Sequence, residues 1–157
     1  DADIKSLVLM HKLDIPMSEE FIRQFENYVG ILLGYQPEAC DQRGICGIQN
    51  VVEADGSVYP CDFYMLDEYR LGNFNANQME EINAKRKEIG FIERSLQLKE
   101  SCKSCPYFTI CRGGCQRNRD YDQVSGMYEN YFCKSYEMFF DACLPKMKEM
   151  AETLKRR

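Results

Sequence analysis

The feature that most constrains this chain is the stretch CKSCPYFTICRGGC, from Cys102 to Cys115, with four cysteines spaced x2, x5 and x3. Pro106 and the Gly113-Gly114 pair force tight turns there. Such a segment is held by cross-links: disulfides, a metal ion or a metal cluster. Five further cysteines lie elsewhere, at 40, 46, 61, 133 and 143, making nine in 157 residues. No apolar run approaches the roughly 18 residues of a membrane span, and no secretory leader is visible. In a reducing cytoplasm this thiol density points to metal rather than disulfides. His11 is the only histidine, so mixed Cys/His sites fall away and all-thiolate ligation remains. His11 itself reads as an exposed side chain.

Apolar residues make up 45% of the chain, enough for a core, and charged residues 29%. The net charge of −5 argues against a general nucleic-acid binder. The chain starts at Asp1 rather than Met, which suggests an excised piece. Pro16 and Ser18 read as a helix start. Apolar positions at helical spacing from Phe21 to Leu33 follow, and Gly34 closes the run. Asp55-Gly56, between short β-prone runs, predicts a hairpin ending at Cys61 and Asp62. A second helix is expected from Asn77 to about Ile89, with Met79, Ile82, Ile89 and, beyond it, Leu98 facing inward. A third is expected from about Tyr128, broken or bent at Pro145. It carries an apolar stripe of Tyr131, Phe132, Tyr136, Phe139, Phe140, Cys143 and Met147. Cys143 on that stripe reads as a buried apolar thiol. No linker or repeat interrupts the chain.

The other eight cysteines fall into a group of three (Cys40, Cys46, Cys61) and a group of five (Cys102, Cys105, Cys111, Cys115, Cys133). Two four-thiolate sites therefore need one cysteine to cross from the second group to the first. Cys102 and Cys105, two residues apart, should share a metal, and Cys111 is next in reach. In two-cluster ferredoxins a cysteine three residues after its neighbour serves the other cluster, and Cys115 stands so to Cys111. Spacing thus suggests Cys40/Cys46/Cys61/Cys115 and Cys102/Cys105/Cys111/Cys133. Uneven gaps suit a bulky cluster better than zinc. So does the excess of five basic residues over Glu100 alone between Lys99 and Arg119. The alternatives of a zinc-bound interaction module and a ferredoxin-like electron carrier stay open on spacing alone.

The order Cys40-x5-Cys46-x14-Cys61, a long gap, then Cys102-x2-Cys105-x5-Cys111-x3-Cys115-x17-Cys133 resembles the SPASM domain of radical S-adenosylmethionine enzymes. The resemblance is to the anaerobic sulfatase-maturating enzymes above all. It is carried also by VVEADGSVYPCDFYMLDEYRLGN (Val51–Asn73), CRGGC and YFCKSYEMFF (Tyr131–Phe140). It implies an α+β fold, a small β-hairpin plus helices and cysteine-rich loops wrapped around two metal clusters. Residues 1–20 match poorly and 21–157 form the SPASM domain. It implies two auxiliary 4Fe–4S clusters on the same crossed partition. It implies a sulfatase polypeptide as substrate, whose Cys or Ser becomes formylglycine. A third 4Fe–4S cluster and S-adenosylmethionine belong to an N-terminal barrel domain whose C-x3-C-x2-C motif this sequence lacks. The chain alone is therefore not expected to be active. The resemblance further implies that Asp62 is the base that takes a proton from the substrate thiol or hydroxyl. Read without it, Asp62 is a turn residue. Tyr59 and Tyr64 flank Cys61 and read first as hairpin packing.

Overall fold

The computed structural model describes residues 22–156. The expected start at Ser18, the poorly matched segment 1–20 and His11 lie outside them. The fold is α+β, and it divides into two compact units: residues up to Gly44 together with Leu98 onward, and Ile45–Gln97. Among the described residues no helix is long and apolar enough to cross a membrane.

The first unit is organised by two helices, α1 (Arg23–Leu32) and α6 (Cys133–Lys155). Helical spacing brings Phe139, Phe140, Cys143, Met147 and Ala151 of α6 to one buried face. They meet Phe25, Tyr28 and Val29 of α1. Phe139 lies 5.7 Å from Phe25 and 5.7 Å from Tyr28, ring to ring, and Tyr28 meets Phe140 edge-on at 5.1 Å. Cys143 is fully buried in this cluster, as its position on the stripe predicts. Gly34 ends α1 with φ of 90°, where the Tyr35 N–H reaches the Gly30 carbonyl and the Gly34 N–H reaches that of Ile31. Beyond it, buried Asn27 accepts the Ala39 N–H at 3.0 Å, which anchors the chain just before Cys40. Phe139→Ala should cost about 3–5 kcal/mol, because it removes a ring that is 1% exposed and leaves a cavity. Urea unfolding of the two proteins measures this directly.

Two expectations are corrected here. The last helix does not begin near Tyr128. Met127–Asn130 is strand β5, antiparallel to β4 (Arg119–Asp122), with Arg119 opposite Asn130. The Asp122 side chain accepts the Val124 N–H, and Gly126 takes φ of 67° to close the turn. Tyr131 is exposed, so the helical stripe starts after it. Nor does Pro145 break α6. It sits on the solvent face, so the carbonyl it leaves without a partner meets water, while the opposite face stays packed.

The second unit carries a three-stranded sheet in the order β1-β2-β3, with β1 at Val51–Val52, β2 at Ser57–Tyr59 and β3 at Gly72–Asn73. The hairpin turns as expected at Asp55-Gly56. The Asp55 carboxylate accepts both the Ser57 N–H and its hydroxyl, and Gly56 has φ of 85°. Helix α2 (Met79–Glu88) starts in a capping box between Gln78 and Glu81. It buries Ile82 against Val58 and Leu71. Met79 is exposed, against expectation: it is the first residue of the helix, and its sulfur accepts from the Asn50 side-chain amide at 3.6 Å. Short helix α3 (Phe91–Arg94) adds Phe91, which meets Tyr64 and Tyr69 edge-on. Tyr59 is buried and Tyr64 is packed, so both serve the unit's core, as first read.

Candidate metal centres

Four short pieces of chain carry Cys102, Cys105, Cys111 and Cys133. Helix α4 (Glu100–Lys103) holds Cys102, and Cys105 follows one residue after its C-cap. Cys111 ends α5 (Phe108–Cys111), and Cys133 begins α6. Pro106 and the one-turn lengths of α4 and α5 fold this stretch back on itself. All four sulfurs line one cavity of about 100 Å³, walled by Tyr107, Phe108, Tyr136 and Phe140. All four thiols are free.

The electrostatics of this cavity are those of crowded thiols. Burial pushes Cys111 up to about 11, and the charges of Cys102, Cys133 and Cys105 add to that, while the Gly113 N–H opposes it. Burial also raises Cys102, with Cys133 next. Cys133 is raised by burial and then by Glu137 and Glu129. Four thiolates together are unfavourable here unless a positive centre joins them, so loading would release protons. The four cysteines line a common hollow. That arrangement, half-buried and aromatic-walled, fits a group wider than one ion, as an iron–sulfur cluster is.

The remaining cysteines are placed as follows. Cys40 opens a 3-10 turn to Gln42, and Cys115 precedes another, Gln116–Asn118. The two are near enough for Cys40 to raise the proton affinity of Cys115, after burial, with the Arg117 N–H opposing. In the second unit the Cys46 N–H donates to buried Ser95 at 3.0 Å. Cys61 lies in extended chain (φ −165°) after buried Pro60, at the end of β2. Asp62 is exposed and begins a 3-10 turn to Tyr64, and its carboxylate accepts the Cys61 thiol at 3.2 Å. A metal-bound Cys61 carries no proton, so that hydrogen bond belongs to the thiol form alone.

Sequence reasoning missed two parts of this arrangement. The aromatic wall was hidden because Tyr136 and Phe140 fit the helical core stripe equally well. The basic excess of the stretch also divides in the folded chain. Lys99 is ion-paired with Asp122 at 2.9 Å and Glu129 at 2.8 Å, whereas Arg119 is buried behind the CRGGC loop. Asn130 just before the helix, an Asx-turn residue that takes the Phe132 N–H, was the available signal.

A family model described as an iron–sulfur cluster-binding domain, SPASM, matches residues 45–106. A cysteine-type anaerobic sulfatase-maturating enzyme of Clostridium perfringens is 42% identical over 134 residues, which is 85% of this chain and 36% of the relative. Residues 45–106 belong to the SPASM family. The cysteine-type enzyme of Clostridium novyi is 40% identical over 136 residues, 87% of this chain and 36% of the relative. A serine-type enzyme of Bacteroides thetaiotaomicron is 33% identical over 138 residues, 85% of this chain and 33% of its own length. Among solved structures, native anSMEcpe with bound AdoMet and Cp18Cys peptide superposes with a TM-score of 0.81 at 39% identity, covering 96% of this chain and 42% of that one. The chain thus spans about a third of the length of the curated relatives it matches.

Proposed function

We propose that this SPASM domain is the auxiliary-cluster part of a radical S-adenosylmethionine enzyme that oxidises the active-site Cys or Ser of a sulfatase polypeptide to formylglycine. The observation that carries this reading is the four-cysteine cavity, in a chain related to sulfatase-maturating enzymes over most of its length. Cys102, Cys105, Cys111 and Cys133 hold one 4Fe–4S cluster, and Cys40, Cys46, Cys61 and Cys115 hold the other. The clusters, when bound, supply a destination for the electron that leaves the substrate.

The chain's own residues do the rest. Cys115 stands beyond the glycine loop from Cys111, so one rigid turn sets the direction of two sulfurs. Tyr107, Phe108, Tyr136 and Phe140 keep water from the inner side of the four-cysteine cavity, which favours a stable thiolate-held group. Asp62 takes the proton from the substrate thiol or hydroxyl. Its place at the start of a turn, beside a cysteine in extended chain, holds the carboxylate on a short tether in reach of solvent, which suits that role. S-adenosylmethionine and a third cluster belong to the barrel domain of the intact enzyme.

The test is the metal content of anaerobically reconstituted protein. We expect a brown protein with about eight iron and about eight sulfide per chain, as two cubane clusters require. Colourless protein with stoichiometric zinc would instead establish an interaction module with no redox role.

A further inference from the structure

The four sulfurs of the cavity come from two pieces of chain. Cys102, Cys105 and Cys111 belong to one piece, tied together by its own backbone. The Cys102 carbonyl accepts the Cys105 N–H at 3.2 Å, and the Cys105 carbonyl accepts the Phe108 N–H at 3.0 Å. The Tyr107 carbonyl accepts the Ile110 and Cys111 N–H groups at 3.0 and 2.8 Å. The fourth sulfur, Cys133, opens α6. Local hydrogen bonds therefore fix three sulfurs relative to one another, and a separate contact must set them against the fourth.

Tyr107 makes that contact in two ways. Its ring packs 5.5 Å from that of Phe140, with Ile110 buried in the same apolar cluster. Its hydroxyl donates to the Asp141 carboxylate. Among the described residues this is the one hydrogen bond between the Cys102–Cys111 piece and α6. Cys133 and Phe140 both line the cavity, and Asp141 comes next, about 12 Å along the helix from Cys133. Packed rings tolerate sliding and tilting, whereas a hydroxyl-to-carboxylate hydrogen bond is short and directional. Tyr136, the other tyrosine of the wall, stacks on Phe140 from within α6, so that ring contact does not join the two pieces.

We propose that Tyr107 is a positioning residue for the four-cysteine site. Its bond to Asp141 locks the piece carrying Cys102, Cys105 and Cys111 onto α6, in register with Cys133, and so sets how long the group they hold is retained. This rests on the reading that these four cysteines hold an iron–sulfur cluster. Without the bond the rings still pack, but the two pieces part more often, and each opening exposes the thiolates to solvent and to competing ligands.

The experiment challenges the intact, anaerobically reconstituted protein with excess iron chelator. Samples withdrawn over time are reduced, and the two clusters are followed separately by electron paramagnetic resonance. The signal missing from Cys133→Ala identifies the cluster concerned. Tyr107→Phe keeps the ring on Phe140 and removes only the hydroxyl. It should lose that cluster about tenfold faster than wild type, the effect of one lost hydrogen bond to a charged group, while loss of the other cluster is unchanged. Asp141→Ala should match it, and the double variant should be no faster than either single one. Asp141→Asn, which keeps an acceptor oxygen, should stay within about twofold of wild type. A Tyr107→Phe protein that reconstitutes with the other cluster alone supports the proposal in the same sense. Unchanged loss in Tyr107→Phe, multiplied effects in the double variant, or equal acceleration of both clusters would each overturn it. Wild-type protein that takes up no iron and sulfide would sink the cluster reading itself, and this proposal with it.

Discussion

Replacing Asp62 by Asn in the intact protein is expected to lower kcat by about 10²–10⁴-fold while leaving iron and sulfide content at the wild-type level. Asn keeps the size and polarity of the side chain and removes its ability to accept a proton. The surroundings of Asp62 make this a clean change. The residue is exposed, stands at the start of a 3-10 turn, and has the Cys61 thiol as its side-chain contact at 3.2 Å. The backbone of the turn is closed by the Tyr64 N–H on the Cys61 carbonyl at 3.0 Å, which the substitution leaves in place. The measurement is formylglycine formation in a sulfatase-derived peptide, with 5′-deoxyadenosine release followed in parallel. Loss of the first with persistence of the second locates the defect at proton removal. Full turnover in the Asn variant would take the base role from Asp62 and favour a plain electron-carrier reading of the domain.

Cys133→Ala should reduce iron from about eight to about four per chain, since a cubane lacking one thiolate is no longer enclosed. Cys143→Ala should leave all of it. The two cysteines lie ten residues apart on one helix, yet their surroundings are opposite. Cys133 is the first residue of α6 and faces the cavity shared with Cys102, Cys105 and Cys111. Cys143 is fully buried among the apolar side chains of the α1–α6 core. Iron and sulfide assays on both variants decide the matter. Unchanged iron in Cys133→Ala would remove it from the ligand set, and lost iron in Cys143→Ala would add an unforeseen ligand. The predicted loss in Cys133→Ala is selective because Cys133 opens α6, ahead of the apolar contacts that hold that helix in place.

The elements legible in the sequence were those whose signals are local. α1 and its glycine stop, the Asp55-Gly56 hairpin and α2 each declare themselves by periodicity, capping or turn chemistry within a few residues. β3 has two residues, Gly72 and Asn73, and no pattern to read. β4 and β5 carry Arg119, Asp120, Asp122, Glu129 and Asn130, polar strands that lack the apolar alternation of a half-buried sheet. Their pairing is set by the Asp122–Gly126 turn and by what Arg119 and Asn130 do on the other side, so Tyr128 was drawn into the wrong element.

The sequence by itself pointed to thiolate ligation through its nine cysteines, assigned Cys143 to the core by its place on the apolar stripe, and suggested through the x3 gap that Cys115 serves a different set from Cys111. Short gaps carry such a reading because they limit how far a few peptide units reach. Only the tertiary structure decided which side chains wall the four-cysteine cavity, and that Lys99 pairs with Asp122 and Glu129 while Arg119 donates to the carbonyls of the glycine loop. The physical reason is that burial and strand register are set by partners far along the chain. Arg119 finds Asn130 only once β4 and β5 pair, and no count of residues between cysteines contains that contact.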